Sequence, residues 1–231
     1  MPFNLLLFPL VGGYYLLITS RFTKYIHQRI DRQRLIFNAV LAGIFLLVLA
    51  TFGVRVVETN FPEWSKNIKE GFPLQLPYTG TAILSFLLGI LIAHISNLFI
   101  DDTKALSRSI RFIGNELEQL VRSAFLNTAL ISFTMKSGKV YIGWPLSLPR
   151  PSRGSYLSVL PLISGYRDET QDIVFTTEYW DLYQKRQQDG ADDIYAGFLL
   201  VLSVGEITHA SLFDFDVYER FSQTANRNSG A

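Results

Sequence analysis

The sequence predicts an α+β membrane protein with two to three N-terminal transmembrane helices, a linking cytoplasmic helix and a small C-terminal β-barrel-like or curled-sheet domain. Three observations predict it. Leu35 to Val54 (LIFNAVLAGIFLLVLATFGV) holds no charged residue over twenty positions. At about 1.5 Å of rise per residue such a run spans roughly 30 Å, the thickness of a bilayer core. Thr79 to Ile100 (TGTAILSFLLGILIAHISNLFI) is a second such run, broken only by His94. From Leu130 onward the apolar residues recur with period two, as strands require.

These runs divide the chain into a transmembrane domain at 1–100, a linking helix at 101–126, a cytoplasmic β-rich domain at 127–222 and a disordered tail at 223–231. The spans are expected near 3–20, 35–57 and 79–100. The first, Phe3 to Ser20, is uncharged, but Pro9 and the pair Gly12-Gly13 weaken a helix there, giving a kinked span or, alternatively, a re-entrant or interfacial segment. No positive residue precedes it and no small-x-small site follows, so a cleaved signal peptide is not expected.

Arg21, Lys24, Arg29, Arg32 and Arg34, against Asp31 alone, separate the first two apolar segments, and short basic loops stay in the cytoplasm. Glu58 to Tyr78, with Pro62, Pro73 and Pro77, then becomes an outer loop, and everything after Asp101 is cytoplasmic. Arg55 sits beyond the second span, where its head can snorkel to the interface.

Asp101 and Asp102 suit a helix start, and Leu106, Ile110, Ile113, Leu117, Leu120 and Ala124 form a heptad stripe. The stripe covers fewer than three heptads, so it fits a helix laid on its own β-domain as well as a coiled coil. ISFTM and KVYIGW then flank the turn Lys136-Ser137-Gly138-Lys139. Pro145, Pro149 and Pro151 interrupt the second of these strands, and SLPRPSRGS is a loop. SYLSVLPLISGY and ETQDIVFTTEYW read as strands, YQKRQQDGADD as a polar connection, and FLLVLSVGEITHASLFDFDVYERF as one or two closing strands.

Candidate functional residues fall in two groups. In the third apolar run Ser85, Gly89, Ala93 and Asn97 recur every four residues and form a small, partly polar face beside His94. His94 either lines a path or hydrogen-bonds a neighbouring helix. Ala39, Gly43, Ala50 and Gly53 form a weaker small-residue face in the second run, with Asn38 near its cytoplasmic end. In the β-domain, Lys136, Lys139, Arg150, Arg153 and Arg167 would bind phosphate if they converged. Tyr141, Trp144, Tyr156, Tyr166, Tyr179 and Trp180 are either stacking platforms beside them or core. Asp189, Asp192 and Asp193 read as a solvated loop.

A net formal charge of +1 argues against a protein built on nucleic-acid electrostatics, and no duplex-DNA binding is expected. Without cysteine there is no disulfide framework, thiolate nucleophile or thiolate-held metal. The three histidines, His27, His94 and His209, lie in different regions, and no G-x-S-x-G, Walker loop or H-E-x-x-H is present. No enzymatic activity, cofactor or metal is therefore expected.

The hairpin TMKSGKVYIGW resembles the strand-turn-strand of Sm-like and SH3-like barrels. With LPLISGYRDE and FTTEYW following it, the layout of hydrophobic spans and then a β-rich domain is similar to that of small bacterial membrane effectors of antiphage defence. Among these it resembles most the membrane effector of the Hailong system. The resemblance implies a homo-oligomeric inner-membrane ion channel that depolarises the cell, opened by an oligonucleotide from a companion nucleotidyltransferase. The competing expectation is a non-conducting membrane anchor or scaffold that recruits a cytoplasmic partner.

Overall fold

The computed structural model describes residues 3–71, 77–151, 156–168, 172–189, 195, 197–218 and 220. Pro73, Arg153, Asp192, Asp193 and the tail 223–231 lie outside the described residues. The chain forms a mixed α+β structure in two compact units, Met1–Leu106 and Ser107–Ala231.

Unit 1 is helical. A 3-10 turn, Phe3–Leu6, leads into α1 (Leu7–Thr19), followed by α2 (Arg21–His27), α3 (Arg32–Asn60), α4 (Pro62–Gly71) and α5 (Thr79–Phe99). Two of these, α3 and α5, are long and apolar enough to cross a membrane. At thirteen residues α1 is shorter, about 20 Å at the α-helical rise. Arg55 lies within α3, which runs on to Asn60, so this helix extends beyond the end expected at 57.

Pro9 and Gly12-Gly13 do not break α1. Pro9 sits in its first turn, where a missing N–H costs no helical bond, and the glycines are its packing surface. Successive helical residues point about 100° apart, so two adjacent glycines serve two partners. Gly13 meets α3 at Ala39 and Gly43, and Gly12 meets α5 at Ser85, Phe86 and Gly89. A Cβ on Gly43 would lie 2.5 Å from the Pro9 carbonyl oxygen, and one on Gly89 2.6 Å from that of Gly12. These backbones touch, so only glycine fits. Gly53, the last residue of the small face expected on α3, has nothing within 4 Å of a Cβ position. The outward surfaces remain apolar: Phe45, Phe52, Leu98 and Phe99 are 61%, 68%, 81% and 83% exposed.

The expected single helix at 101–126 is two helices, α6 (Asp102–Ile113) and α7 (Glu116–Asn127). The break is a capping box. Asn115 Oδ1 accepts the Glu118 N–H at 2.8 Å, and Glu118 Oε2 accepts the Asn115 N–H at 3.1 Å. The heptad stripe therefore does not stay on one face: Ile110 and Ala124 are fully buried, whereas Ile113 is 42% exposed.

Unit 2 carries an antiparallel sheet of β1 (Leu130–Met135), β2 (Lys139–Pro145), β3 (Tyr156–Arg167), β4 (Ile173–Glu178), β5 (Leu200–Ser203) and β6 (Ile207–Phe213). The strand order is β4-β3-β2-β1-β6, with β5 on β3. In the first hairpin the Gly138 N–H donates to the Met135 carbonyl at 2.9 Å, and Gly138 has φ +79°, a conformation other residues seldom adopt.

The barrel-like expectation is corrected: the sheet is not closed. Val159 pairs with Pro145 on one side and Leu200 on the other, so β5 shares an edge of β3 with β4 and occupies only Tyr156–Val159. A 3-10 turn, Val204–Glu206, then carries the chain to the far edge of β1, where β6 pairs. Among the described residues no ladder joins β4 to β6.

Both faces of the sheet carry buried apolar residues. On one, Val121 and Ala124 of α7 pack on Ile131, Phe133, Leu157, Val159 and Leu202. On the other, Val140, Ile142 and Ile163 pack with Leu130, Leu162, Ile173, Phe175 and Phe213. Tyr218 lies against Phe175 and Phe213 of this second cluster, its ring edgewise to Phe175 at 5.5 Å and tilted to Phe213 at 5.6 Å. The polar connection after β4 is helical: α8 (Trp180–Gln188) fills it.

The glycine contacts generate a paired prediction. In detergent micelles Gly43→Leu should lower stability by at least about 3 kcal/mol, because the side chain must displace the Pro9 backbone. Gly53→Ala should be neutral or stabilise by up to about 1 kcal/mol. Unfolding by SDS titration, followed by helical circular dichroism, checks both.

Candidate functional site

The small face of α5 is consumed inside unit 1. Ser85, Gly89 and Ala93 are buried against α1, and the Ser85 hydroxyl donates to the Ala82 carbonyl at 2.6 Å. His94, the next residue round the helix, is exposed on the outward surface, its Nε2 3.1 Å from the Tyr15 hydroxyl. Leu84, Leu87, Leu88, Ile90 and Leu91 line a shallow apolar groove ending at His94.

One turn further, Ser96 and Asn97 meet the junction of α1 and α2. The Ser96 and Ser20 hydroxyls are 2.7 Å apart. Asn97 Oδ1 accepts the Arg21 N–H at 2.6 Å while its Nδ2 donates to the Thr19 carbonyl at 3.1 Å. One amide thus satisfies an orphan donor at the start of α2 and an orphan acceptor at the end of α1. Arg21 Nη1 in turn donates to the carbonyls of Asn97 (2.9 Å) and Ile100 (3.1 Å), capping α5 with positive charge. The Tyr25 hydroxyl donates to Asp102 Oδ1 at 2.6 Å, and Arg21 Nε lies 3.9 Å from the same oxygen. Arg21 and Tyr25 therefore hold both the end of α5 and the first residue of α6.

Nearby, His27 Nδ1 lies 2.9 Å from the Thr23 carbonyl and its Nε2 3.3 Å from Asn38 Nδ2. Asn38 is thus an inter-helix bond from α3 to α2.

Among the described residues, Lys136, Lys139, Arg150 and Arg167 do not assemble into one site. Lys139 opens β2 opposite Tyr166, and the Arg167 N–H donates to the Gly138 carbonyl at 3.0 Å, so these two share the hairpin end of the sheet. Lys136 is there too, its Nζ 3.4 Å from Glu206 Oε1. Arg150 follows Pro145, at the other end of a strand about 20 Å long. Lys139 lies over the Tyr141 ring at 5.4 Å.

Comparison with protein-family models, with curated proteins and with solved structures gives no match. The chemistry of the residues is what remains to read. Among the described residues no group of three or more His, Asp or Glu side chains converges as a metal site requires.

The aromatics divide. Tyr156, Tyr166 and Trp180 are 60%, 48% and 51% exposed; the two tyrosines lie at opposite ends of β3 and Trp180 opens α8. Tyr179 and Tyr183 instead pack edgewise on Phe198, with centroids 6.3 Å and 5.1 Å away, and Tyr195 joins Tyr183 at 5.4 Å. This cluster ties α8 to the segment before β5. The Tyr183 hydroxyl donates to the Pro161 carbonyl of β3. Burial, then the neighbouring Tyr179 and Tyr195, push its pKa up from 10.0 to about 12.

Two predictions follow from these geometries. A tyrosine whose folded pKa is raised retains its proton after the unfolded chain has lost it, so its stabilisation is complete below pH 10.0 and is lost as pH rises through about 12. Tyr183→Phe should flatten that alkaline slope in denaturant titrations of the full chain. Asn97→Leu should destabilise unit 1 by about 2–4 kcal/mol, since two backbone groups lose their partner; urea or SDS unfolding measures it.

Proposed function

We propose that the chain acts as a membrane-embedded homo-oligomer in which the outward face of α5 meets its counterpart in neighbouring copies around an ion-conducting path. The observation that carries this reading is the His94–Tyr15 pair, a polar contact on the exposed side of an otherwise apolar helix. Five residues from the end of α5, His94 lies about 8 Å inside the apolar stretch. An ionisable group facing lipid at that depth is costly, and a second copy or a water-filled path removes the cost. The groove beside it offers apolar packing for such a neighbour. The small faces of α3 and α5 contribute to packing within one copy, so the path lies between copies.

In this reading unit 2 sets the open and closed populations through the covalent connection from α5 to α6. The chain is then a depolarising inner-membrane effector of the kind its layout resembles, with the C-terminal unit in the cytoplasm. Lys139 and Arg167, which share the hairpin end, are the residues on which an anionic trigger would act. The closed packing of α1 between α3 and α5 favours a second reading, a non-conducting anchor that places unit 2 at the membrane.

In liposomes holding a potassium diffusion potential, the wild-type chain should dissipate the potential, and His94→Leu should slow it by about fivefold or more, the factor equivalent to one hydrogen bond of about 1 kcal/mol. No dissipation, together with full cellular activity when residues 1–100 are replaced by an unrelated anchor, would select the anchor.

A further inference from the structure

On α6 the buried residues Ala105, Leu106, Ser109 and Ile110 form one stripe. Lys104, Arg108 and Arg111 are exposed at spacing i, i+4, i+7. At about 100° per residue they fall within a wedge of roughly 60° on the opposite side. Phe112 flanks the wedge and is 66% exposed, with the Arg108 guanidinium 5.8 Å over its ring. At the start of the helix Asp101 accepts the N–H groups of Thr103 (2.9 Å) and Lys104 (3.3 Å), and Asp102 accepts from Tyr25.

The placement of this basic stripe is fixed at one end. Asp102 opens α6 and is bound to Tyr25 and Arg21 of α2, at the end of unit 1 that also carries Lys24, Arg29 and Arg32. Only Ile100 and Asp101 separate α6 from Phe99, the most exposed large apolar residue of α5. If α5 spans the bilayer, the first turn of α6 stands at the level of the lipid headgroups.

We propose that the exposed face of α6 docks on the anionic headgroups of the cytoplasmic leaflet, with Lys104, Arg108 and Arg111 on phosphates and Phe112 inserted beside them. The inference rests on unit 1 being membrane-embedded. A cationic stripe with a bulky apolar residue at its border is the chemistry of an interfacial helix, and each basic residue near an anionic surface contributes on the order of fivefold to the docked-to-free ratio. Docking would hold α6, the helix within which unit 1 passes into unit 2, against the membrane.

The chain has no cysteine, so Phe112→Cys gives a unique site for a nitroxide in the full-length protein. The probe is a nanodisc of phosphatidylcholine alone or mixed with phosphatidylglycerol, read by the label's accessibility to oxygen against a water-soluble nickel chelate. The expected result is a membrane-interface signature with phosphatidylglycerol that shifts toward water in phosphatidylcholine or at high salt. Arg108→Gln with Arg111→Gln should lower the docked-to-free ratio roughly 25-fold, whereas Arg108→Lys with Arg111→Lys should retain it. Equal accessibility in both lipids, or indifference to the Gln pair, overturns the proposal. A label at Leu98→Cys separates the two levels: embedded in both lipids, it leaves the membrane reading standing whatever α6 does; aqueous in both, it overturns both.

Discussion

The close approach of three helical backbones at Gly12 and Gly13 is the constraint on which unit 1 depends. Without side chains there, α1 can touch Ala39 and Gly43 of α3 on one side and Ser85 and Gly89 of α5 on the other. In the bilayer proposed for unit 1, apolar burial would do little to order its helices, and close packing and hydrogen bonds would supply specificity. The rest of the unit follows from the register this sets. With Gly12 against Gly89, the end of α1 arrives beside Ser96 and Asn97, and one amide can then join three helix ends. Arg21 completes the arrangement by capping α5 and reaching the first residue of α6.

Unit 2 obeys a different constraint. Its sheet buries residues on both faces of β1 and β3, the polar Ser132, Thr134 and Ser164 among them, and the first hairpin turns through Gly138. Its longest strand, β3, is shared by three others, and β5 is only four residues long. That division leaves the sheet open and makes the α8 insertion depend on its own aromatic contacts with Phe198 and Pro161.

Length and apolarity made α3 and α5 legible, and period two with a Ser-Gly turn made the first hairpin legible. The four-residue recurrence of Ser85, Gly89 and Ala93 was visible in the sequence, but a periodicity does not name the partner, and Ser85 and Gly89 meet Gly12 of α1 in the same chain. The break between α6 and α7 was readable as Asn115-x-x-Glu118 and was masked by a heptad stripe running across it. The short helices α2 and α8 left little periodic signal, and tertiary contacts hold them: Tyr25 on Asp102, Tyr183 on Pro161. The dispersal of Arg150 from Lys139 could not be read, since strand ends separate residues that sequence places near one another. Tyr25 and Arg21, the residues that bind α6, carried no signal beyond the charge of a loop.

The functional account turns on one point, that the His94 side of α5 faces another copy of the chain while the outward side of α3 faces lipid. Dipolar electron resonance on the reconstituted full-length protein measures this directly, using a single nitroxide at Leu91→Cys on α5 or at Phe45→Cys on α3, both exposed within one copy. The account predicts strong coupling between copies from position 91, at shorter distances than from position 45. Coupling that is absent at both positions, or shorter at position 45, would contradict it.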